Sequence, residues 1–325
     1  MKKPALWMSI LLVVVIPNML FSFFTEKDSG AKAVPEESAI PCMVQQEIKI
    51  KDGDLISEIA LDEYVLRVLL GEMPSDFEPD ALMAQAIAIR TYTLRNILRG
   101  SKHQNADVCT DPSCCQSFVE ISDYAGSRKD LDKLMQAVNA TENQVLTFQG
   151  NLIEATYFSC SGGKTEDAVA VWGTDVPYLQ SVSSPGEENA KRYISITTCS
   201  YRDFLRKLGL PENTDLSAEK FHAEYTEGGG VAKLYITDRV FTGVQIRTLL
   251  GLPSTAFTIT VANDNVHITT KGNGHRVGLS QYGAEAMAVS GKTYPEILAH
   301  YYAGTELVTF TSEQMKAVFD KAGNL

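Results

Sequence analysis

The sequence is short of positive charge: across 325 residues, 29 lysines and arginines stand against 40 aspartates and glutamates, for a formal net charge of −11. A body this acidic has no general surface for phosphate groups, which argues against a nucleic-acid partner but not against a carbohydrate. Internal repeats and low-complexity tracts are also missing. The hydrophobic fraction of 44% and charged fraction of 21% are ordinary for a globular protein and argue against wholesale disorder.

Two common catalytic signatures are missing as well. The glycine-rich segments at residues 161–165 and 272–280 have neither the spacing of a P-loop nor its Gly-Lys-Ser/Thr context. No nucleophile elbow surrounds Ser161, which argues against a Ser161–His275 hydrolase. Glycines in such segments let backbone amides approach a ligand closely, which suits a sugar with many hydroxyls.

Five residues of these segments are therefore predicted to bind a saccharide: Ser161, Gly162, His275, Ser280 and Gln281. An alternative explains the same pattern equally well. Glycines are ordinary in turns, and Ser280 is well placed to be the N-cap of a following helix.

One long apolar run lies near the N-terminus. Lys2 and Lys3 precede residues 5–24, which carry no charge and as a helix would span roughly 30 Å, the thickness of a bilayer's hydrocarbon core. Acidic residues Glu26 and Asp28 flank the other side, so the sequence predicts a single-pass anchor (residues 1–24) with a cytoplasmic N-terminus and an extracytoplasmic body. The alternative is a cleaved signal peptide, because residues 31–33 have the small-x-small form of a cleavage site.

Residues 25–45 are polar and aperiodic and are predicted to form a linker, which leaves residues 46–325 as the folded body. Hydrophobic spacing predicts helices at residues 61–73, 81–98, 201–208, 245–250, 280–289 and 312–321. Alternation predicts two hairpins, which join residues 144–148 to 152–158 and residues 257–261 to 266–270. Helices and antiparallel hairpins without a regular βαβ rhythm indicate one large α+β body.

Glu72 lies where the first of these helices should end, just before Pro74. Val65, Val68, Leu69 and Glu72 share one face of such a helix, so the carboxyl falls in an apolar stripe. Burial and the negative end of the helix dipole both disfavour its charged form, which suits a general acid. The alternative is an ordinary exposed glutamate that pairs with a nearby arginine.

Four soft metal ligands lie within 13 residues: His103, Cys109, Cys114 and Cys115. Four such ligands can close a tetrahedral zinc site that pins a loop with little apolar content of its own. The spacing is not that of a standard zinc finger, and a disulfide to Cys109 is the alternative, since the body is predicted to lie outside the cytoplasm.

Several motifs in a fixed order make the sequence recognisable. They are Gly-Glu-Met-Pro at residues 71–74, the alanine-rich stretch at 81–92, Tyr-Phe-Ser-Cys-Ser-Gly-Gly at 157–163, Val-Trp-Gly at 171–173 and the segment 272–284. Together they resemble the stage II sporulation protein D family over roughly residues 46–310. Those proteins are lytic transglycosylases of spore-forming bacteria and are related to the amidase enhancers.

The resemblance implies that Glu72 is the catalytic residue. A single carboxyl fits this chemistry, because a lytic transglycosylase uses the muramic acid's own C6 hydroxyl as nucleophile where a hydrolase needs a second carboxyl. Arg90 and Tyr92 are the candidates for steadying the positive charge of the transition state. The resemblance also implies zinc at the cysteine cluster, although relatives have a histidine where this chain has Cys114.

The resemblance further implies a substrate without stem peptides, and hence a partner amidase within the membrane machinery that drives engulfment of the forespore. A second hypothesis is a glycan-binding module that raises an amidase's activity without cutting glycan. Glu72 within an intact Gly-Glu-Met-Pro favours the enzyme, because a pure binder has no need of a carboxylate on an apolar face.

Overall fold

A computed structural model describes residues 46–217 and 221–322. The helices within these residues are α1 (Leu61–Glu72), α2 (Pro79–Leu98), α3 (Arg128–Ala140), α4 (Ala168–Trp172), α5 (Tyr201–Lys207), α6 (Gly243–Leu250), α7 (Gln281–Val289), α8 (Tyr294–Tyr301) and α9 (Ser312–Ala322).

The strands within the same residues form six small sheets. They are β1 (Glu47–Asp52), β2 (Leu55–Ala60), β3 (Val108–Cys109), β4 (Gln144–Phe148), β5 (Asn151–Leu152), β6 (Tyr157–Phe158), β7 (Gly163–Lys164), β8 (Ser183–Ser184), β9 (Ile194–Ser200), β10 (Phe221–Tyr225), β11 (Val231–Ile236), β12 (Arg239–Thr242), β13 (Ala256–Ala262), β14 (Asn265–Lys271), β15 (Leu279–Ser280) and β16 (Glu306–Thr309). Most neighbouring strands are antiparallel; β1–β3 and β6–β15 are parallel.

The larger of two hydrophobic cores surrounds α2, which begins with Pro79 at its first turn. Helices α1, α3, α7, α8 and α9 and strand β4 all contact α2. Four fully buried alanines on α2, at positions 81, 84, 86 and 88, let these neighbours approach closely. The helix is therefore enclosed on nearly every side and fixes where α1 and α7 meet.

The second core lies under two three-stranded sheets, β10-β11-β12 and β13-β14-β9, and includes buried residues of α5 and α6. In the second sheet, β13 and β14 are joined by Asn263 and Asp264, which have φ values of 51° and 60°. Two successive left-handed residues are the geometry of a two-residue hairpin turn. The sequence favoured one large body and gave only thin evidence for two lobes.

The predicted mixture of helices and antiparallel sheets is confirmed. The hairpin predicted over residues 257–270 is confirmed, whereas the one predicted over 144–158 is wrong in its second strand. β5 ends at Leu152, the chain turns through a hydrogen bond from Thr156 N to Glu154 O (2.8 Å), and β6 pairs instead with β15.

The predicted anchor (residues 1–24) and linker (25–45) lie outside the described residues. Within residues 46–217 and 221–322, no helix has both the length and the apolar composition needed to cross a bilayer.

A buried ion pair ties α1, α2 and α3 together. The fully buried guanidinium of Arg90 donates from Nε (3.0 Å) and Nη2 (2.8 Å) to Asp62 Oδ1 in the first turn of α1. Its Nη1 also donates to the carbonyl of Thr141, the C-terminal cap of α3, at 2.7 Å. Removing the arginine would leave a carboxylate and helix carbonyls without a partner.

We expect Arg90→Ala to lower the free energy of unfolding by about 3–5 kcal/mol, because one buried charge is left uncompensated. Urea denaturation measures the loss. The control is Arg128→Ala, which breaks an exposed pair with Asp132 on α3 and should change stability by less than about 0.5 kcal/mol. Equal effects of the two substitutions would contradict the bracing role.

Candidate active site and metal cluster

Glu72 is the last residue of α1, and its position follows from local sequence. Val65, Val68 and Leu69 on the same face are fully buried, which draws the half-buried Glu72 towards the core. Met73 has extended backbone (φ −126°, ψ 141°) and Pro74 cannot continue a helix, so α1 ends there. The predicted apolar stripe carrying a carboxyl at the helix end is confirmed.

Two neutral donors from distant segments hold the Glu72 carboxyl. Ser117 N donates to Oε1 at 3.1 Å, and Gln281 Nε2 on the first turn of α7 donates to Oε2 at 3.0 Å. Burial raises the pKa of Glu72 above its ordinary value, and these two hydrogen bonds oppose part of that rise. The carboxyl is therefore oriented on both oxygens while its charged form stays disfavoured.

No lysine or arginine of the described chain forms an ion pair with Glu72. Arg90 is occupied by Asp62, and Arg67 pairs with Glu63 and Glu120. The alternative of an ordinary arginine-paired glutamate therefore does not hold in this structure.

Gly71 is needed for this arrangement. A Cβ at this position would lie 2.5 Å from Ser117 Oγ, closer than two non-bonded atoms can approach. A side chain there would push the loop carrying Ser117 N away from Glu72. The glycine before the glutamate in Gly-Glu-Met-Pro thus has a packing reason.

Glu72 lies where two cavities meet. The first, of about 640 Å³, is bounded on one side by the α1–α2 connection and on the other by residues 123–126 and α7. The second, of about 340 Å³, is lined by Tyr92, Tyr157, His275 and the cysteine loop. A third, of about 690 Å³, shares Pro74, Asp76 and Tyr282 with the first. Because neighbouring cavities share lining residues, the three cavities lie side by side, and Glu72 lies between the first two.

Three of the predicted saccharide-binding residues line these cavities. Gln281 lines the first, and Tyr92 and His275 line the second. Burial lowers the pKa of His275 to about 4. Its Nδ1 accepts from Val277 N (3.1 Å), so Nε2 carries the proton and donates to Tyr157 O (3.0 Å). His275 is thus a neutral wall residue.

The prediction that Arg90 contacts the substrate is wrong, because its side chain is fully buried and its donors are occupied. Ser161 and Ser280 are also fully buried and face away from ligand. Both hydroxyls donate to one buried carboxylate, Glu187, at distances between 2.6 and 3.0 Å, and Gly162 N donates to it at 2.9 Å. The prediction that Ser161 and Ser280 bind sugar is therefore wrong, because both hydroxyls brace the glycine loops around Glu187. Gly162 is half-buried and uses its N–H in the same brace, and its contact with sugar stays a prediction.

Ser280 is also the N-cap of α7, since its Oγ accepts from Gly283 N (3.3 Å). The alternative explanation of this segment as turn glycines and an N-cap is therefore the correct one for Ser280. Its consequence for the site is indirect: the cap fixes the first turn of α7, which presents Gln281 to Glu72.

Sequence reasoning missed Ser117, Gln116 and Tyr157. Tyr157 lines the second cavity, and its hydroxyl donates to Gln116 Oε1 at 2.8 Å, while burial raises its pKa well above the ordinary value. Gln116 Nε2 in turn donates to Thr93 Oγ1 on α2 at 2.9 Å. Tyr157 stood within a recognised motif, but nothing local in the sequence marked residues 116 and 117, which act through their place beside the cysteines.

The four predicted metal ligands are brought together. One ligand atom from each of His103, Cys109, Cys114 and Cys115 lies within 4.8 Å of all the others. His103 Nε2 is 3.2 Å from Cys115 Sγ, and Cys109 N donates to the same sulfur at 3.4 Å. Each of the three cysteines is free of a disulfide, as are Cys160 and Cys199. The donor set and its spacing fit a tetrahedral metal site.

The four candidate metal ligands are coupled to Glu72 by chain connectivity. Ser117 follows Cys115 by two residues, and the loop from Pro112 to Gln116 forms a wall of the second cavity. An interaction that fixes Cys114 and Cys115 therefore also fixes the backbone N–H of Ser117, from which Glu72 accepts a hydrogen bond.

Comparison with known proteins identifies the family of this chain. Residues 50–148 match the family model described as Stage II sporulation protein; they include Glu72, Ser117 and the four metal ligands. Stage II sporulation protein D of Bacillus subtilis is 33% identical, over 94% of this chain and 96% of that protein. Its counterpart in Bacillus amyloliquefaciens is also 33% identical, over 91% and 92%.

A more distant relative is the amidase enhancer of Bacillus subtilis, which is 26% identical over 75% of this chain and 40% of its own length. The full-length matches at 33% identity are decisive. This chain belongs to the stage II sporulation protein D family.

Proposed function

We propose that this protein is a lytic transglycosylase that cleaves peptidoglycan glycan strands and leaves 1,6-anhydro ends. The observation that carries the proposal is the Glu72 carboxyl, which is half-buried, has no cationic partner in the described chain and lies where two cavities meet. A strand that passes through both cavities brings a glycosidic oxygen to this carboxyl.

The first step is proton donation. Protonated Glu72 gives its proton to the glycosidic oxygen as the bond from that oxygen to the muramic acid C1 breaks. The raised pKa keeps the carboxyl protonated to higher pH than an exposed glutamate. Positive charge develops on the sugar ring while Glu72 becomes a carboxylate, which Ser117 N–H and the Gln281 amide then stabilise.

In the second step the same carboxylate accepts the proton of the muramic acid's C6 hydroxyl. The O6–C1 bond forms, the 1,6-anhydro ring closes, and Glu72 is again protonated for the next cycle. No water is consumed, so no second carboxyl is required to activate one. Tyr92, in the wall of the second cavity, remains the candidate for contact with the reacting sugar.

The setting follows from the family. We propose that residues 5–24 anchor the protein in the cell membrane, with the body outside the cytoplasm, and that it acts on strands without stem peptides during forespore engulfment. A partner amidase then supplies the substrate by removing those peptides. The family supports a role in sporulation, and the amidase-enhancer relative supports an amidase partner. The anchor is proposed from the apolar run of the sequence alone.

The relative named amidase enhancer favours one alternative function. In that alternative the grooved surface binds glycan and activates an amidase without cutting the strand. The two functions differ in whether a pure preparation shortens strands on its own.

We expect Glu72→Gln to lower kcat on peptide-free glycan strands by about 100- to 10,000-fold, because the proton donor is lost. Mass spectrometry should find anhydro-ended fragments with the wild type and none above background with the variant. Asp123→Asn, which neutralises an exposed carboxylate in the first cavity, is the matched control and should leave the rate within about threefold.

Two results would overturn the proposal. Reducing-end fragments that depend on both Glu72 and Asp123 would indicate a two-carboxyl hydrolase. Strand binding without cleavage by the wild type, together with stimulation of an amidase, would establish the activator.

We also propose that His103, Cys109, Cys114 and Cys115 hold a structural zinc ion. Zinc with four protein ligands has no open position for water, so its contribution is to fix the loop. Without it, this loop has little buried apolar surface: residues 110–115 are all half-buried or exposed. Fixing Cys115 in turn fixes Ser117 N against Glu72.

Elemental analysis of the purified protein should find about one zinc per chain, because structural sites bind zinc tightly at neutral pH. Cys109→Ser should lose the metal and melt at lower temperature. Cys160→Ser, which alters a buried cysteine outside the cluster, should keep it. Equal and negligible zinc in all three proteins would refute the site.

A further inference from the structure

Trp172 is an exposed aromatic residue that the chemistry above does not use. It is the last residue of α4, and 45% of its surface is exposed. Its indole N–H has no hydrogen-bond partner in the described chain, and its ring contacts the imidazole of His275 at a centroid distance of 5.6 Å and an angle of 49°.

The fold does not need a tryptophan there. Helix α4 is fixed by Ala168, which is buried and whose N donates to Leu179 O at 3.0 Å, and by the Asp167 carboxylate, which accepts from Ser181 N. Gly173 ends the helix in the left-handed conformation (φ 74°). None of these contacts involves the indole, so its large apolar face is available to a ligand.

His275 connects Trp172 to the catalytic groove. One side of the imidazole lines the second cavity, which Glu72 also lines, and Trp172 packs against the same ring. The indole therefore lies next to a lining residue of this cavity, and 45% of its surface is exposed to solvent. A strand that leaves the cavity on this side meets an aromatic face next.

We propose that Trp172 is a stacking platform for a pyranose ring of the bound glycan, away from the bond that is cut. This inference rests on the proposed function, because it assigns a further sugar site to the same groove. A β-linked N-acetylated pyranose carries its ring C–H groups on its faces and its hydroxyls around its edge. An exposed aromatic ring buries those C–H groups, while an indole N–H with no protein partner remains free to donate to a hydroxyl or acetamido oxygen.

The neighbouring cavity indicates that the ligand of this platform is a glycan. The platform contacts His275, which lines the cavity that contains the proposed acid. His275 is neutral, since burial lowers its pKa to about 4. Aromatic rings recognise the uncharged face of a sugar by stacking on it.

The chain contains only two tryptophans, Trp7 and Trp172, which permits a direct test. Full-length protein with Trp7→Phe and Glu72→Gln has Trp172 as its one tryptophan and does not cut its ligand. Adding peptide-free glycan strands should shift tryptophan emission saturably to shorter wavelength as the sugar displaces water from the indole.

Kinetics provide a second readout. Trp172→Ala in the otherwise native chain should raise KM on long strands about 10-fold and leave kcat within about twofold, as for loss of uniform binding. Trp172→Phe should restore most of the loss. The control is Tyr225→Ala, which removes a 54% exposed aromatic residue of β10 and should change neither constant.

The outcomes separate this inference from the proposed function. Strands that bind, as measured by co-sedimentation, without any change in emission overturn the platform and leave the cleavage assay to decide the activity. Emission that shifts on binding to a protein whose wild type never cuts strands supports the platform and refutes the transglycosylase. Absence of any strand binding overturns the platform outright.

Discussion

The candidate site depends on one half-buried carboxyl group, that of Glu72, which has no cationic partner among the described residues. Glu72 is drawn inward by the apolar face of α1 and held by two neutral donors, Ser117 N–H and the Gln281 amide. If an arginine or lysine side chain contacted the Glu72 carboxyl instead of these neutral donors, it would stabilise the carboxylate and lower the pKa of Glu72. The arrangement favours the protonated form of Glu72, which the proposed proton transfer requires. Its cost is the partial desolvation of the Glu72 carboxyl group.

Two buried arginines of the described residues are paired with carboxylates other than Glu72. Arg90 is fully buried against Asp62, and Arg276 donates to Glu166 Oε1 at 3.1 Å, also in the interior. Glu187 gathers hydroxyl and backbone donors of both glycine-rich segments. These buried groups act as braces: they place α1 and α7 so that Glu72 and Gln281 meet, and they contribute nothing directly to the chemistry.

Close packing of small residues completes this brace. A Cβ at Gly283 on α7 would lie 2.2 Å from Ser184 Oγ and 2.8 Å from Glu187 Oε1, so only glycine lets the helix approach the Glu187 cluster. The same requirement operates at Gly71 beside Ser117. Glycine at both positions thus lets neighbouring elements pack closely together.

Local patterns predicted what depends on neighbouring residues: the end of α1 before Pro74, a helix over residues 81–98, which α2 extends by two residues at its start, and the hairpin that joins residues 257–261 to 266–270. The four metal ligands were also predictable, because they lie close together in the chain. Interactions between distant segments were not. Ser161 and Ser280 looked like sugar ligands because their partner, Glu187, carries no local signal, and Tyr157 was assigned to the wrong pairing because β15 lies more than a hundred residues away.

The most direct test measures the protonation of Glu72 itself. Its side-chain carboxyl ¹³C resonance, assigned by difference from Glu72→Gln, is followed against pH in the full-length protein. We expect a midpoint above the ordinary value of 4.5, and glycan cleavage that declines as pH rises through that same midpoint, because the acid is then lost. A midpoint at or below 4.5, or cleavage that rises through it, would contradict the account.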